Sequence, residues 1–210
     1  MLPSATDPVP GATPPARETA PRPERGIGAL LLVGGLIGLI AAVVLLAEKL
    51  ALMENPDYIP TCNVSPVLSC GSVMTTAQAE AFGIPNPILG IAGFAITASI
   101  GAGLLAGARF AAWFWAGAQI GMTCAVVFVH WLIYQSLYVI GALCPYCMVV
   151  WVVTFPLFWH VTIRNLRAIT TESRAVGLII EFRGAVLTAW FLILVAVIAA
   201  RFWDYWTTVL

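Results

Sequence analysis

Cys144 and Cys147 stand two residues apart, enclosing Pro145 and Tyr146, inside a run without a single charged residue. A Cys-x-x-Cys pair can be a redox dithiol, half of a metal site, or two small buried hydrophobes. A c-type haem attachment needs His directly after the second cysteine, and here Met148 follows. A zinc site needs four ligands, and the histidines are poorly placed. His160 lies thirteen residues past Cys147, about 20 Å along a helix, and His130 sits in the preceding apolar run. Cys62, Cys70, Cys144 and Cys147 could by count form a four-thiolate zinc site, or two static disulfides. Helix-start chemistry favours a redox pair, because thiolate is the reactive form and its pKa falls at helix N-termini and in Cys-x-x-Cys motifs. Pro145 suits a first helical turn, where its missing N–H costs nothing. Cys147 would then face the apolar interior one turn deeper, and the pair could pass electrons from an aqueous thiol to a lipid-soluble acceptor.

The elements that must position these cysteines are membrane spans. Of 210 residues, 60% are hydrophobic and 10% charged, far below the roughly 25% charge of a soluble domain. Formal net charge is zero, which gives no electrostatic case for binding nucleic acid. Residues 1–25 hold seven of the fourteen prolines and read as a disordered cytoplasmic tail. Gly26 to Ala47 is free of Asp, Glu, Lys and Arg, and about 20 such residues cross a bilayer. Phe110 to Ile163 is likewise uncharged over 54 residues. As one helix it would be about 81 Å long, so it must fold back, with Ser136 to Gly141 as the candidate turn. The reading is an all-α integral membrane protein with spans at about 26–50, 87–108, 110–136, 142–163 and 185–205. An outer loop covers 54–86, and a short interfacial helix is expected between the last two spans.

Lys and Arg prefer the cytoplasmic side. With the N-terminus inside, that side collects Arg17, Arg22, Arg25, Arg109, Arg164, Arg167, Arg174 and Arg183, against Lys49 and Arg201 outside. Cys62, Cys70, Cys144 and Cys147 then meet on the outer, oxidising face. Cys124 lies about 18 Å down its helix and reads as a small buried hydrophobe. Thr75 and Gln78 have capping-box spacing, which predicts a short helix opening at Thr75. Gly34 with Gly38, Gly103 with Gly107 and Gly117 with Gly121 have the spacing of close helix packing.

The segments CNVSPVLSCGSVM (62–74), GIPNPILG (83–90) and CPYC (144–147) resemble the bacterial form of the vitamin K epoxide reductase family, over roughly Gly26 to Ile163. The resemblance implies a four-helix transmembrane bundle around a quinone, capped by the cysteine loop, with a fifth helix appended. It also implies that Cys62 and Cys70 are a shuttle pair and that Cys144 and Cys147 are the catalytic pair beside the quinone. Asn86 matches an asparagine that hydrogen-bonds a quinone carbonyl, and Thr76 matches a Ser/Thr position near the cysteines. Trp151 stands where vertebrate members carry a tyrosine, and indole N–H donates but does not accept. Some bacterial members carry a fused thioredoxin-like domain. None follows Leu210 in this sequence, so the implied partner is a separate extracytoplasmic thioredoxin-fold protein of the DsbA type. The implied acceptor is menaquinone or ubiquinone in the inner (plasma) membrane, with no metal. The expected activity is quinone-dependent protein-disulfide oxidation in support of disulfide formation. Thiol-driven quinone-epoxide reduction and a non-catalytic, disulfide-stapled scaffold are the alternatives.

Overall fold

A bilayer core offers no water to backbone N–H and C=O groups, so apolar runs of this length resolve as helices that satisfy their own hydrogen bonds. The computed structural model describes residues 22–169 and 174–209. In chain order it comprises α1 (Arg22–Glu54), α2 (Cys70–Met74), a 3-10 turn (Ala77–Glu80), α3 (Asn86–Leu105), α4 (Ala112–Tyr134), a π-helical turn (Gln135–Ile140), α5 (Pro145–Ile169), α6 (Arg174–Glu181), α7 (Arg183–Arg201) and α8 (Trp203–Val209). Five stretches are long and apolar enough to cross a membrane: Glu24–Glu54, Asn86–Leu105, Ala112–Ile140, Pro145–Ile169 and Arg183–Arg201. Residues 1–21 of the expected tail lie outside the described residues. Arg22 to Arg25, also read as tail, already belong to α1.

In lipid, helices associate through packing rather than water expulsion, and small residues let backbones approach. The α1–α3 contact is of this kind. A Cβ on Gly101 would come 2.3 Å from the Leu32 nitrogen, and one on Gly35 would come 2.7 Å from the Ala98 nitrogen. Gly38 lies flat against the Phe94 ring. Helix α1 also packs on α5, and α5 on α4. Leu31, Phe94, Leu104, Trp115, Leu157 and Val161 fill the shared core. Helices α3 and α4 do not form a packed pair. The expectation of close packing at Gly117 and Gly121 is therefore corrected: a Cβ on either would meet nothing within 4 Å. Both line a cavity instead.

The fold-back falls within the expected stretch, and it has a specific construction. Helix α4 loosens into the π-helical turn, and Gly141 ends it with φ 71°, a left-handed conformation that suits glycine. Residues 142–144 then run extended, so α5 begins at Pro145 rather than at 142. Helix α7 leans on this bundle from outside. Trp190 stacks on Phe155 with ring centroids 4.5 Å apart and donates its indole N–H to His130 Nε2 at 3.0 Å. Apolar side chains elsewhere on α7, such as Leu192 and Val195, are exposed as lipid-facing residues are.

These two glycine classes make a testable contrast. Gly101→Leu should drive α1 from α3, with overpacking worth about 1–3 kcal/mol, and lower the thermal midpoint in nanodiscs. Gly121→Leu should leave that midpoint unchanged, and circular dichroism melting compares the two.

Candidate active site

The redox end of the molecule is built from two chain segments joined by backbone hydrogen bonds. Leu143, in the extended piece before α5, donates its N–H to Val67 O at 2.8 Å and accepts from Ser69 N at 2.9 Å. This isolated parallel bridge pairs Leu68 with Leu143. It sets the register of the cysteines beyond it: Cys70 follows Ser69, which bonds Leu143 O, and Cys144 follows Leu143. As a result Cys144 Sγ lies 3.2 Å from Cys70 Sγ.

Cys62 and Cys70 are joined as a disulfide, with Cα atoms 5.6 Å apart, while Cys144 and Cys147 are free thiols. Cys70 opens α2, whose N-cap is Ser69; the Ser69 hydroxyl accepts from Ser72 N at 3.2 Å. Asn63 Oδ1 accepts from Gly71 N at 2.9 Å and from the Ser69 hydroxyl at 3.2 Å, closing the small disulfide ring across its mouth. Cys144 precedes Pro145 and acts as the cap of α5. Its carbonyl accepts from Met148 N at 3.0 Å, and its sulfur accepts from Cys147 N at 3.5 Å. The Cys144 thiol is held below its ordinary pKa. Its hydrogen bond with the Cys147 side chain contributes most and the backbone N–H groups of Cys147 and Tyr146 add to it, against burial, which pushes it up.

One expectation about the pair needs correction, since a span from residue 142 would put Cys144 inside the helix. Cys144 is the cap rather than a member of the first turn, because residues 142–144 are extended to pair with the loop. It is also the covered cysteine, at 0% exposure beneath Cys70, whereas Cys147 is half-buried and lines the cavity. Cys124, expected buried, is exposed on the cavity wall of α4.

The C-terminal end of α1 holds both arms of the loop. Glu48, 7% exposed, accepts from Tyr58 OH at 3.0 Å, from Thr61 N at 3.3 Å and from the Thr61 hydroxyl. The adjoining Lys49, 9% exposed, donates to Met74 O at 2.7 Å and pairs with Glu80 at 2.9 Å. Glu48 thus fixes the chain entering Cys62, and Lys49 fixes the chain leaving α2. Sequence reasoning passed over both, although two adjacent charges ending an apolar run were a visible signal. The expected capping box does not form either. Thr75 closes α2, its hydroxyl bonding back to Gly71 O at 3.0 Å, and Thr76 precedes the 3-10 turn without a side-chain cap.

Beneath the cysteines lies a cavity of about 700 Å³ between α1, α3, α4 and α5, within the range of small-molecule sites. Its walls are mostly apolar, and Cys147, Thr76, Asn86 and Trp151 are among the residues lining it. Asn86 is already engaged: Nδ2 donates to Gln78 O at 2.7 Å and Oδ1 accepts from Ala81 N at 3.1 Å. Thr76 donates to Val73 O at 2.8 Å. Trp151 is 2% exposed and packs among Val67, Val129, Leu137, Leu143 and Phe202, so it meets the cavity only at its edge. An apolar chamber with a few polar groups at its thiol end fits a quinone ring carrying an apolar tail. Among the described residues, no group of three or more His, Cys, Asp or Glu could hold a metal.

A disulfide in contact with a Cys-x-x-Cys thiol, set over a chamber between membrane helices, defines a membrane-embedded thiol–disulfide exchange centre. The model of the vitamin K epoxide reductase family matches residues 29–162, well over half of the chain, and the chain belongs to that family. It is thereby a multi-pass membrane thiol–disulfide oxidoreductase of a family that works with quinone-type carriers and thioredoxin-like partners. A search of curated proteins finds no match.

Removing the Glu48 carboxylate frees only one arm of the loop. In Glu48→Ala, amide hydrogen exchange over residues 58–63 should quicken about tenfold, the equivalent of 1.4 kcal/mol. Exchange over residues 70–74, held by Lys49, should not change, as peptide-resolved mass spectrometry would read.

Proposed function

We propose that this protein reoxidises an extracytoplasmic thioredoxin-fold partner of the DsbA type and delivers the two electrons to a membrane quinone. The observation that carries this reading is the 3.2 Å approach of Cys144 Sγ to Cys70 Sγ. It supports a route in which Cys70 exchanges with the Cys-x-x-Cys pair and Cys62 meets the partner. The arginine asymmetry supports an inner-membrane protein with a cytoplasmic N-terminus and the redox cysteines outside.

Electrons and bonds balance along this route. A partner thiolate attacks Cys62, breaking the Cys62–Cys70 bond and releasing Cys70 as thiolate. The second partner thiol displaces Cys62, so the partner leaves as a disulfide and the loop as a dithiol. Cys70 then attacks Cys144 of an oxidised Cys144–Cys147 pair, and Cys147 departs as thiolate. Cys62 attacks Cys70, restoring the loop disulfide and freeing Cys144. The end state, loop oxidised and Cys144 and Cys147 reduced, is the arrangement described above. A quinone supplies the two-electron, two-proton acceptor that returns Cys144 and Cys147 to a disulfide. Cys147, on the cavity wall, is the thiol that addresses it, and the apolar walls exclude water from that step. Asn86, Thr76 and Trp151 border the ring, Asn86 with the one amide hydrogen it has not committed to the loop. The direction is permissible, since a DsbA-like couple near −120 mV is kept oxidised through quinone.

Proteoliposomes containing quinone and a reduced DsbA-like protein test the reading. Cys62→Ala and Cys70→Ala should abolish oxidation of the partner. Cys124→Ala should stay within about twofold of the unaltered protein, as a peripheral substitution does. Cys147→Ala should accumulate a Cys70–Cys144 crosslinked peptide, because the Cys144 thiolate can attack Cys70 of the loop disulfide and release Cys62, and no Cys147 remains to resolve the mixed disulfide. A Cys62–Cys144 crosslink in its place would reverse the loop order, and full activity of both loop variants would remove the relay.

A further inference from the structure

We propose that Gln135 is a quinone-binding residue, its side-chain amide donating a hydrogen bond to a ring carbonyl of the quinone. The inference rests on the quinone reading above and adds a contact from the end of α4 to that of Asn86 at the start of α3. Gln135 begins the π-helical turn, and single π-turns inside helices recur at functional sites because they re-aim a side chain. This turn packs against α2, the helix that starts with Cys70, so Gln135 lies at the thiol end of the cavity. Its side chain lines the same chamber as Cys147 and Trp151.

Two side-chain amides on the cavity wall, those of Gln78 and Gln135, bond no described protein group, and of the two only Gln135 stands on the π-helical turn. Ser136 donates to Ala142 O within the fold-back. Asn86 commits one amide hydrogen to Gln78 O and its Oδ1 to Ala81 N, keeping one hydrogen, and Thr76 donates its hydroxyl to Val73 O. Lys49 is held by Met74 O and Glu80. Gln135 is half-buried, and among the described residues its side-chain amide has no protein partner. An amide brings two donors and an acceptor, and leaving it unmatched in apolar surroundings is costly. A quinone offers two carbonyl acceptors and no donor. A free N–H pair is therefore the matching group, and the indole N–H of Trp151, on a ring almost wholly packed, does not supply a mobile one.

The full chain in nanodiscs, titrated with a short-tailed naphthoquinone and followed by quenching of tryptophan fluorescence, gives a dissociation constant without turnover. Gln135→Leu should bind about tenfold more weakly, the factor equivalent to 1.4 kcal/mol. The infrared carbonyl stretch of the bound quinone, lowered by hydrogen bonding in the unaltered protein, should move back toward its free position. Gln135→Glu keeps the length and, when protonated, one donor. Its affinity should be near normal at low pH and fall as the carboxyl ionises, a dependence that loss of packing alone would not produce. Unchanged affinity and carbonyl stretch in Gln135→Leu would overturn the inference while leaving the quinone reading standing. Absence of quinone binding by the unaltered protein would overturn both.

Discussion

Three residues of extended chain before α5 decide whether this molecule has a reaction centre. Leu143 makes two backbone hydrogen bonds, one to Val67 and one from Ser69, and that single rung carries the register between a loop and a helix 74 residues apart. Each bond is an ordinary one, worth about 0.5–1.5 kcal/mol net. Their importance is geometric, because a side chain one position further along each strand is placed by them. Slip the bridge by a residue and Leu143 or Pro145 would face Cys70 in place of the thiol. Much of the outer half of the molecule serves to keep this rung in place. Gly141 releases the chain from the π-turn, and Arg201 at the end of α7 donates to Leu137 O at 2.8 Å. Phe202 is buried against Val67, Leu143 and Trp151, the side chains flanking the bridge.

The fifth span acquires a reason from this. It lies outside the stretch matched to the family, residues 29–162, and much of its surface faces lipid. Its C-terminal tip nevertheless completes the apolar cluster under the cysteine loop. Arg201 and Phe202 join the late chain to the turn that presents Cys144, so an element peripheral to the bundle is central to the geometry of its redox end. The C-terminal end of α1 acts in a similar way from the opposite side, with Glu48 and Lys49 each gripping one arm of the loop.

The parts of this design that are legible in the sequence are those written in composition and spacing. Uncharged runs gave the spans, and the cysteine pairs with their flanks gave the chemistry and the family. The fold-back was found because an 81 Å helix, by the usual rise of about 1.5 Å per residue, has no place in a bilayer. What stayed hidden depends on which partner a group chooses among several. Thr75 and Gln78 have the spacing of a capping box, yet Thr75 bonds backward to Gly71 because α2 ends there. Gly34 and Gly117 sit in identical small-residue patterns, but only the first meets a neighbour, the Leu157 side chain. Helix facing, not glycine spacing, separates them, and facing is a tertiary property. Gln135 carries no motif at all. Its proposed role emerges only from its place on the π-helical turn beside the cavity.

The complete covering of Cys144 bears on how the cell keeps two thiol pools apart. Small thiols that approach this end of the molecule meet the loop before they reach Cys144, which lies behind Cys70. On the proposed route, a free path to that sulfur would let reductant drain into the carrier without making a protein disulfide. Burial of one atom would then work as insulation. Current would pass only through the loop pair, and the leak through every other reductant would be set by how rarely the loop lifts.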